Sequence, residues 1–246
     1  MPEIAYTEDT VLGGRVHLVQ PKEGLRTTSD SLLLAAAIDA RPGAEALEMG
    51  TGCGGALLAA AWRLKETSFT GVEINPSLAD FAQRSVDKNG FSDRLQIETA
   101  DMTSWAQAYE NRFDTVFSNP PYFAPGSIQP PGPDRAQAYI ESVSLEAWLK
   151  AMLFALKPRG CLVLIHRAAE LARLLNLLDN RTGEITVLPV ASFAGHEAKR
   201  VVIRARKGLK RGRVRLLAPL VMREGADHRF TPELQHIDQG GAIVWP

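Results

Sequence analysis

From about residue 44 onward, short apolar runs alternate with longer helical patterns, and this alternation limits the possible folds. Strands separated by helices of about 10–15 residues indicate βαβ units and a parallel sheet covered on both faces. The pattern therefore predicts an α/β fold with a doubly wound, mostly parallel sheet of about seven strands. The predicted strands are 44–49, 68–74, 95–99, 113–118, 160–166, 184–190 and 198–207. The predicted helices are 56–65, 76–89, 103–109, 145–157 and 168–179.

Composition excludes several classes of protein. The 246 residues are 45% hydrophobic and 23% charged, which is ordinary for a soluble globular chain. No apolar run approaches the ~18–20 residues that cross a bilayer, and the acidic start "MPEIAYTEDT" lacks a secretory signal. The two cysteines and five histidines have no metal-ligand spacing. We therefore expect a cytoplasmic protein with neither a metal nor a membrane partner.

Unusual loops follow the first three predicted strands, and parallel strands bring such loops to one edge of the sheet. The first loop, "EMGTGCGG" (48–55), places glycines between a strand and a helix, where a ligand can approach the backbone closely. Glu73 ends the second strand, where a carboxylate can accept hydrogen bonds from both hydroxyls of a ribose. Asp101 and Met102 follow the third strand, as an acceptor for an adenine amino group and an apolar contact for its ring. Glycines that only make a turn, an exposed strand-end acid and a helix N-cap are the plainer alternatives.

Positive charge is concentrated near the end of a chain that has 28 basic and 28 acidic residues in total. Residues 199–215, "KRVVIRARKGLKRGRVR", contain nine Lys or Arg and no acid. This asymmetry predicts a surface that binds a polyanion such as RNA. The plainer alternative is an edge strand whose charges prevent aggregation. The candidate RNA contacts in this run are Lys199, Arg200, Lys210, Arg211, Arg213 and Arg215.

Four segments together resemble the class I S-adenosylmethionine (SAM)-dependent methyltransferases across residues 44–207. They are "EMGTGCGG", "GVEIN", "TADM" and "FDTVFSNPPY". The NPPY tetrapeptide (119–122) resembles the branch that methylates planar NH2 groups of adenine, cytosine, guanine or glutamine. The resemblance implies a Rossmann-like methyltransferase domain over 44–207, an N-terminal lead with a helix over 1–43, and a basic extension of the same domain over 208–246.

Three further features resemble those of the bacterial tRNA adenine-N6 methyltransferases that modify A37 of a valine tRNA. These features are "TTSDSLLLAA" (27–36), Arg135 and "HEAKRVVIRARKG" (196–208). The resemblance implies that Arg135 contacts RNA and that Asp30 helps to hold the amino-acid end of SAM, although Thr28 or Ser29 could simply cap a helix there. The SAM-binding residues it implies are Asp30, Glu48, Gly50, Thr51, Gly52, Gly54, Glu73, Ile74, Asp101, Met102 and Asn119.

The NPPY corner suits a flat amine acceptor. The Asn119 side-chain oxygen and the Pro120 carbonyl could accept the two N–H groups, while the prolines fix the direction of the bend. Pro121 would hold that bend, and Tyr122 would stack on the base. A rigid strand exit is the structural alternative.

We therefore expect a SAM-dependent enzyme that methylates adenine N6 in RNA, at position 37 in the anticodon loop of a tRNA. Protein-glutamine N5-methylation is the nearest enzymatic alternative, since it shares the tetrapeptide. A non-catalytic RNA-binding module and a nicotinamide oxidoreductase are the more distant alternatives.

Overall fold

The computed structural model describes residues 4–121, 143–210, 212–225 and 227–246. Its strands in chain order are β1 (Tyr6–Val11), β2 (Val16–Pro21), β3 (Glu45–Met49), β4 (Ser68–Glu73), β5 (Leu95–Thr99), β6 (Phe113–Ser118), β7 (Leu156–Arg167), β8 (Thr182–Phe193), β9 (Ala198–Lys207), β10 (Arg215–Leu216), β11 (Leu220–Glu224) and β12 (Arg229–Phe230). Its helices are α1 (Ser29–Ala37), α2 (Gly55–Arg63), α3 (Pro76–Lys88), α4 (Met102–Trp105), α5 (Leu145–Ala155), α6 (Leu171–Leu178) and α7 (Pro232–Asp238). All seven predicted strands and all five predicted helices are present, with boundaries shifted by a few residues.

The main sheet has the strand order β12-β11-β8-β9-β7-β6-β3-β4-β5, with β10 also paired to β8. Strands β3 to β7 are parallel to one another, whereas β9 runs antiparallel to both β7 and β8. Seven of these strands are the predicted ones. The sheet is nevertheless wider than predicted, because β10, β11 and β12 extend it beyond β8.

Each face of the sheet carries its own layer of helices, as a doubly wound fold requires. Adjacent residues of one strand enter different cores: Ala46 packs with α1 and α2, and Leu47 packs with α5. On β9, Val202 joins the first core and Ile203 joins the second. Because both faces are covered, the central strands β6 and β7 contain continuous runs of buried residues rather than alternating ones.

A β1–β2 hairpin precedes the helix of the N-terminal lead, and the sequence interpretation missed it. The hairpin is paired through six residues on each strand and turns at Gly13 and Gly14. Helix α3 satisfies the free edge of β2, since the Val19 amide donates to Ser85 Oγ at 2.8 Å. Asn89 pairs with the backbone of His17 through two further hydrogen bonds of 2.7 and 2.9 Å.

The hairpin holds the following loop against the carboxyl edge of the sheet. The Arg26 guanidinium donates to the Asp9 carboxylate at 2.9 Å and to the Pro21 carbonyl at 2.7 Å. Gln20, which is buried, accepts the Thr27 amide at 3.0 Å. These contacts bring the start of α1 beside the loops that follow the parallel strands.

Candidate functional site

A cavity of about 590 Å³ opens at the carboxyl ends of the parallel strands, and we call it the carboxyl-edge cavity. Most of the candidate site residues line it, although they come from distant parts of the sequence. These residues are Asp30, Glu48, Gly50, Thr51, Gly52, Glu73, Ile74, Met102, Asn119, Pro120 and Pro121. Among the SAM-binding candidates, Gly54 and Asp101 do not belong to its lining.

The glycine loop holds its backbone close to β4 and leaves space above it. Gly50 and Thr51 both donate their amides to the Val72 carbonyl, at 2.9 and 3.1 Å. Gly50 has φ +72°, and a Cβ there would lie 2.9 Å from the Trp148 ring. The loop therefore requires glycine at this position for both its conformation and its contact. Gly54 acts behind the cavity as the N-cap of α2, with φ +84°.

Glu73 is only 5% exposed, and its two carboxylate oxygens are held by different backbone amides. Gly52 donates to one oxygen at 2.8 Å, and Asn75 donates to the other at 2.9 Å. Burial raises the pKa of Glu73, and the backbone hydrogen bonds oppose that shift. The carboxylate thus faces the cavity in a fixed orientation, with lone pairs remaining for the hydroxyls of a ligand.

Glu48 is a second buried acid in the same cavity, at 3% exposure. The Thr51 hydroxyl donates to it at 2.6 Å. Burial raises the pKa of Glu48 to about 8, and the charge of Glu73 contributes to the increase. A cationic ligand group at this end of the cavity would favour the ionised form of Glu48.

The proline corner opens into this cavity directly after β6. Asn119 is half-buried and Pro120 is buried, and both line the cavity with Pro121. Ser118 anchors the corner, because its hydroxyl donates to the Met49 carbonyl at 2.6 Å. The fourth residue of the tetrapeptide, Tyr122, lies outside the described residues, so its stacking role stays a prediction.

Trp148 is a site residue that the sequence analysis missed. Its helical spacing on α5 is typical of a packing residue, and it does lie in the core at 5% exposure. Its indole N–H nevertheless donates to Ser118 Oγ at 3.0 Å, and its ring contacts Gly50 and lines the cavity. Trp148 therefore connects the glycine loop with the proline corner. The packing of α5 brings the Trp148 ring to both Gly50 and Ser118, and no local sequence pattern contains that information.

Asp30 and Arg200 form an ion pair at the mouth of the cavity, with Arg200 Nε 2.7 Å from Asp30 Oδ2. The Asp30 side chain is 14% exposed and that of Arg200 is 30% exposed. Asp30 occupies the first turn of α1, whose N-cap is Thr28 without a side-chain capping bond. Arg200, which we expected on an RNA surface, lies instead at this cavity.

The third strand contributes less than expected. Asp101 is the N-cap of α4, and its carboxylate accepts both the amide and the hydroxyl of Thr103 at 2.7 Å. The cavity is lined there by Ala100 and Met102. The capping alternative thus describes the geometry of Asp101, whereas Met102 faces the cavity.

The basic run does not form one surface. Lys199 is exposed near the carboxyl edge, whereas Lys210, Arg213 and Arg215 line a second cavity beyond the other end of β9. Arg135 and Arg211 lie outside the described residues. Strand β9 explains the division, because its ten residues cross the sheet from edge to edge over about 30 Å.

The described residues contain neither a membrane-spanning helix nor a cluster of metal ligands. None of their helices is both long and apolar enough to cross a membrane. Within the same ranges, no group of three His, Cys, Asp or Glu side chains could hold a metal ion.

Comparison with known proteins identifies the fold. Residues 46–129 match the family model of a methyltransferase domain. A predicted O-methyltransferase from Agrobacterium tumefaciens superposes with a TM-score of 0.71 at 28% identity, covering 87% of this chain and 98% of that one. The M. jannaschii protein TYW2 in complex with AdoMet superposes with a TM-score of 0.59 at 13% identity, covering 84% and 87%. The fold is therefore that of the Rossmann-like SAM-dependent methyltransferases, as expected.

Two curated relatives narrow the assignment, and both are named tRNA1(Val) (adenine(37)-N6)-methyltransferase. The Shewanella loihica protein is 34% identical over 160 residues, which span 63% of this chain and 65% of the relative. The protein from Shewanella baltica strain OS155 is 30% identical over 190 residues, which span 76% and 79%. The chain thus belongs to the family of the tRNA1(Val) (adenine(37)-N6)-methyltransferases, whose fold implies SAM as the cofactor.

Proposed function

We propose that this protein transfers a methyl group from SAM to the exocyclic N6 of adenine 37 in a tRNA. The observation that carries the proposal is that Asn119 and Pro120 open into the same cavity as Glu73 and the glycine loop. When bound, SAM supplies an electrophilic methyl group on a sulfonium. The family supports the choice of adenine and tRNA, because its relatives bear that activity in their names.

The residues of the cavity suit the parts of SAM. The fixed carboxylate of Glu73 would accept the two ribose hydroxyls, and the backbone of Gly50 to Gly52 permits close approach. Ile74 and Met102 would pack against the adenine ring. Glu48 is buried with a raised pKa, and a cationic group bound beside it would favour its ionised form and be stabilised by it.

Arg200 and Asp30 would bind the amino-acid end of the cofactor. Arg200 can pair with a carboxylate while Asp30 keeps its guanidinium in place through the 2.7 Å contact. This role differs from the RNA contact that the sequence run suggested for Arg200. It retains the cofactor role of Asp30, acting partly through its neighbour.

At the proline corner, the chain would orient an amine rather than deprotonate it. The lone pair of an aromatic amine is delocalised into the ring, which makes the nitrogen a weak nucleophile. The Asn119 amide oxygen and the Pro120 carbonyl would each accept one N–H, so that the nitrogen becomes more tetrahedral and its lone pair points into the cavity. Positioning and electrostatics therefore supply the catalysis, and no general base is required.

The shape of the cavity also restricts the RNA. A base stacked inside a helix cannot reach a corner at the bottom of a cavity, whereas an unpaired loop base can be splayed out. An anticodon-loop adenine meets this condition, and tRNA as substrate fits the expected cytoplasmic location.

The test is methyl transfer from labelled SAM to an unmodified valine tRNA transcript, with nucleoside mass spectrometry of the product. The wild-type protein should yield N6-methyladenine at position 37. Asn119→Ala should lose at least about 100-fold in turnover while SAM affinity, measured by calorimetry, stays within about twofold. The matched control is Asn176→Ala, an exposed asparagine on α6, which should retain full activity.

The alternative acceptors give distinct outcomes. Methylation of a glutamine in a release-factor protein, with no transfer to RNA, would overturn the proposal in favour of protein-glutamine methylation. RNA binding without a calorimetric signal for SAM would instead indicate a non-catalytic RNA-binding module.

A further inference from the structure

A second cavity of about 1250 Å³ lies beside the end of β9, and we call it the distal groove. Its lining combines the ends of β8 and β9, the following loop and the last two residues of the chain. Six of its lining side chains are cationic, namely Arg159, Arg204, Arg206, Lys210, Arg213 and Arg215. The described part of the lining contains one acidic side chain, Glu184.

The charges of the distal groove are only partly neutralised within the described structure. Arg206 pairs with Glu184 at 3.2 Å, and Arg204 approaches Asp39 at 3.8 Å. Arg215 donates to the Pro246 carbonyl at 3.2 Å. Lys210 and Arg213 are exposed at the rim. The groove therefore keeps an excess of positive charge that a polyanion would neutralise.

The distal groove is remote from the site of methyl transfer. In the antiparallel register of β7 and β9, Arg200 at the carboxyl-edge cavity lies opposite Arg167 at the end of β7, whereas Arg206 lies opposite Cys161 near the middle of that strand. Six residues of extended strand separate Arg200 from Arg206, which corresponds to about 20 Å. A nucleotide in the carboxyl-edge cavity cannot reach the groove, but a second part of the same folded RNA can.

The size and exposure of the groove favour an extended sugar–phosphate backbone. A single small anion is bound by a few converging donors, whereas these cations are spread over a large open surface on long side chains. Cations arranged in this way can contact several successive phosphates, and such contacts give little base specificity. Double-stranded RNA presents its phosphates in this way.

We infer that the distal groove is a second RNA-binding site, which holds the phosphate backbone of a helical arm of the tRNA outside the loop that is methylated. This inference rests on the proposed function. It means that the protein recognises the folded tRNA at two separated points and that the groove contributes to affinity but not to the chemical step.

The test uses Lys210→Glu/Arg213→Glu, a double variant of two exposed side chains. With a full-length valine tRNA transcript, we expect KM to rise about 10-fold or more near 0.15 M salt, while kcat and SAM affinity stay unchanged. The slope of the logarithm of the tRNA-binding constant against the logarithm of the salt concentration should become less steep by about 2, which is about one for each lost phosphate contact. With an isolated anticodon stem-loop as substrate, the variant and the wild type should have equal kcat/KM.

The matched control is Lys65→Glu/Lys150→Glu, which makes the same change in charge at exposed lysines outside the described lining of both cavities. Equal losses in the two double variants, unchanged KM for full-length tRNA, or an equal loss on the stem-loop would each overturn the inference. Competition by poly-glutamate as strong as that by tRNA would also overturn it and indicate an acidic protein partner.

The experiments distinguish an error in the proposed function from an error in the assignment of the distal groove. If the wild type methylates no RNA, tRNA binding measured by fluorescence anisotropy still tests the groove. If only the Lys210→Glu/Arg213→Glu variant then loses tRNA binding, the inference of an RNA-binding site stands and only the proposed reaction is contradicted. Equal binding by all three proteins would remove the RNA-binding site as well.

Discussion

The carboxyl-edge cavity and the distal groove occupy opposite ends of the same sheet and are built in opposite ways. In the cavity, the acids Glu48 and Glu73 are buried and oriented by short hydrogen bonds. In the groove, exposed cations such as Lys210 and Arg213 extend from a loop. A site that positions reacting atoms needs groups whose orientation is fixed before the ligand arrives, whereas a site that attracts a phosphate backbone needs only charge over a suitable area.

The difference also predicts how each region responds to mutation. Removing one oriented group from the cavity leaves buried partners unsatisfied, which costs far more than the lost contact alone. Removing one cation from the groove exposes nothing buried and changes only a screened electrostatic attraction. Large, localised effects are therefore expected at the cavity and small, additive effects at the groove.

The largest effect is expected for Glu73→Ala. The substitution removes the acceptor of the Gly52 and Asn75 amides together with the proposed ribose ligand. We expect SAM affinity to fall by about 100-fold, equivalent to about 2.7 kcal/mol. Isothermal calorimetry measures this, and Glu66→Ala, an exposed acid in the loop between α2 and β4, serves as the control. Equal SAM affinity in wild type and Glu73→Ala would contradict the assignment.

The next effect concerns the pH dependence of stability through Glu48. Folding raises the pKa of this carboxyl from 4.5 to about 8, so the folded state binds more protons than the unfolded state between these values. The stability that this proton supplies is fully present below about pH 4.5 and is lost as the pH rises through about 8. Glu48→Gln removes the dependence and keeps an acceptor for Thr51.

The measurement for Glu48 is the midpoint of thermal unfolding without ligand, from pH 5 to pH 9. From pH 5 to pH 9, the unfolding midpoint of Glu48→Gln should rise relative to that of the wild type by on the order of 10 °C. Parallel profiles for the two proteins would show that Glu48 is ionised throughout and would contradict the assigned pKa.

A smaller effect is expected for Trp148→Phe. Phenylalanine fills most of the volume but lacks the N–H that donates to Ser118, so the proline corner and the glycine loop lose their common contact. We expect kcat to fall about 10-fold with a smaller change in the KM for tRNA, because positioning is lost rather than substrate binding. Trp105→Phe removes an indole N–H that bonds Glu98 outside the cavity lining, and it should leave kcat unchanged. Equal changes in both variants would indicate a general packing effect.

The smallest effect is expected in the distal groove, for Glu184→Gln. This change removes the acid that pairs with Arg206. The Glu184 side chain is 67% exposed, so the ion pair contributes little to stability. We expect tRNA binding to tighten by about twofold and SAM affinity to stay constant, with fluorescence anisotropy and calorimetry as the two measurements. Weaker tRNA binding in this variant would contradict the assignment of the groove to electrostatic attraction of phosphate.

The sequence predicted the fold well because its periodicity reports on burial. Strand Phe113–Ser118 has the predicted limits, since its largely apolar, buried run ends where the backbone leaves the core. The β1–β2 hairpin was missed because Glu8 and Asp9 resemble a loop, and the partners that stabilise β2 lie on α3. Nothing near residue 19 in the chain indicates Ser85.

The site was predictable where a residue follows directly from its strand and unpredictable where the register between strands decides. Glu73 is the last residue of β4 and Asn119 directly follows β6, and parallel pairing brings them to one cavity. Trp148 and Arg200 reach that cavity only through the packing of α5 and the reversed direction of β9. The basic run was predicted as one surface because its residues are adjacent in sequence, although an antiparallel strand separates its two ends.

Strand β9 couples the stability of the two sites, because it extends from one to the other. It is paired on both sides, to β7 and to β8, over nearly its whole length. Its amides should therefore be among the slowest in the protein to exchange with deuterium, opening only when the whole molecule unfolds. Cofactor bound at one end of the strand must then delay exchange at the other end, by the same free energy with which it opposes unfolding.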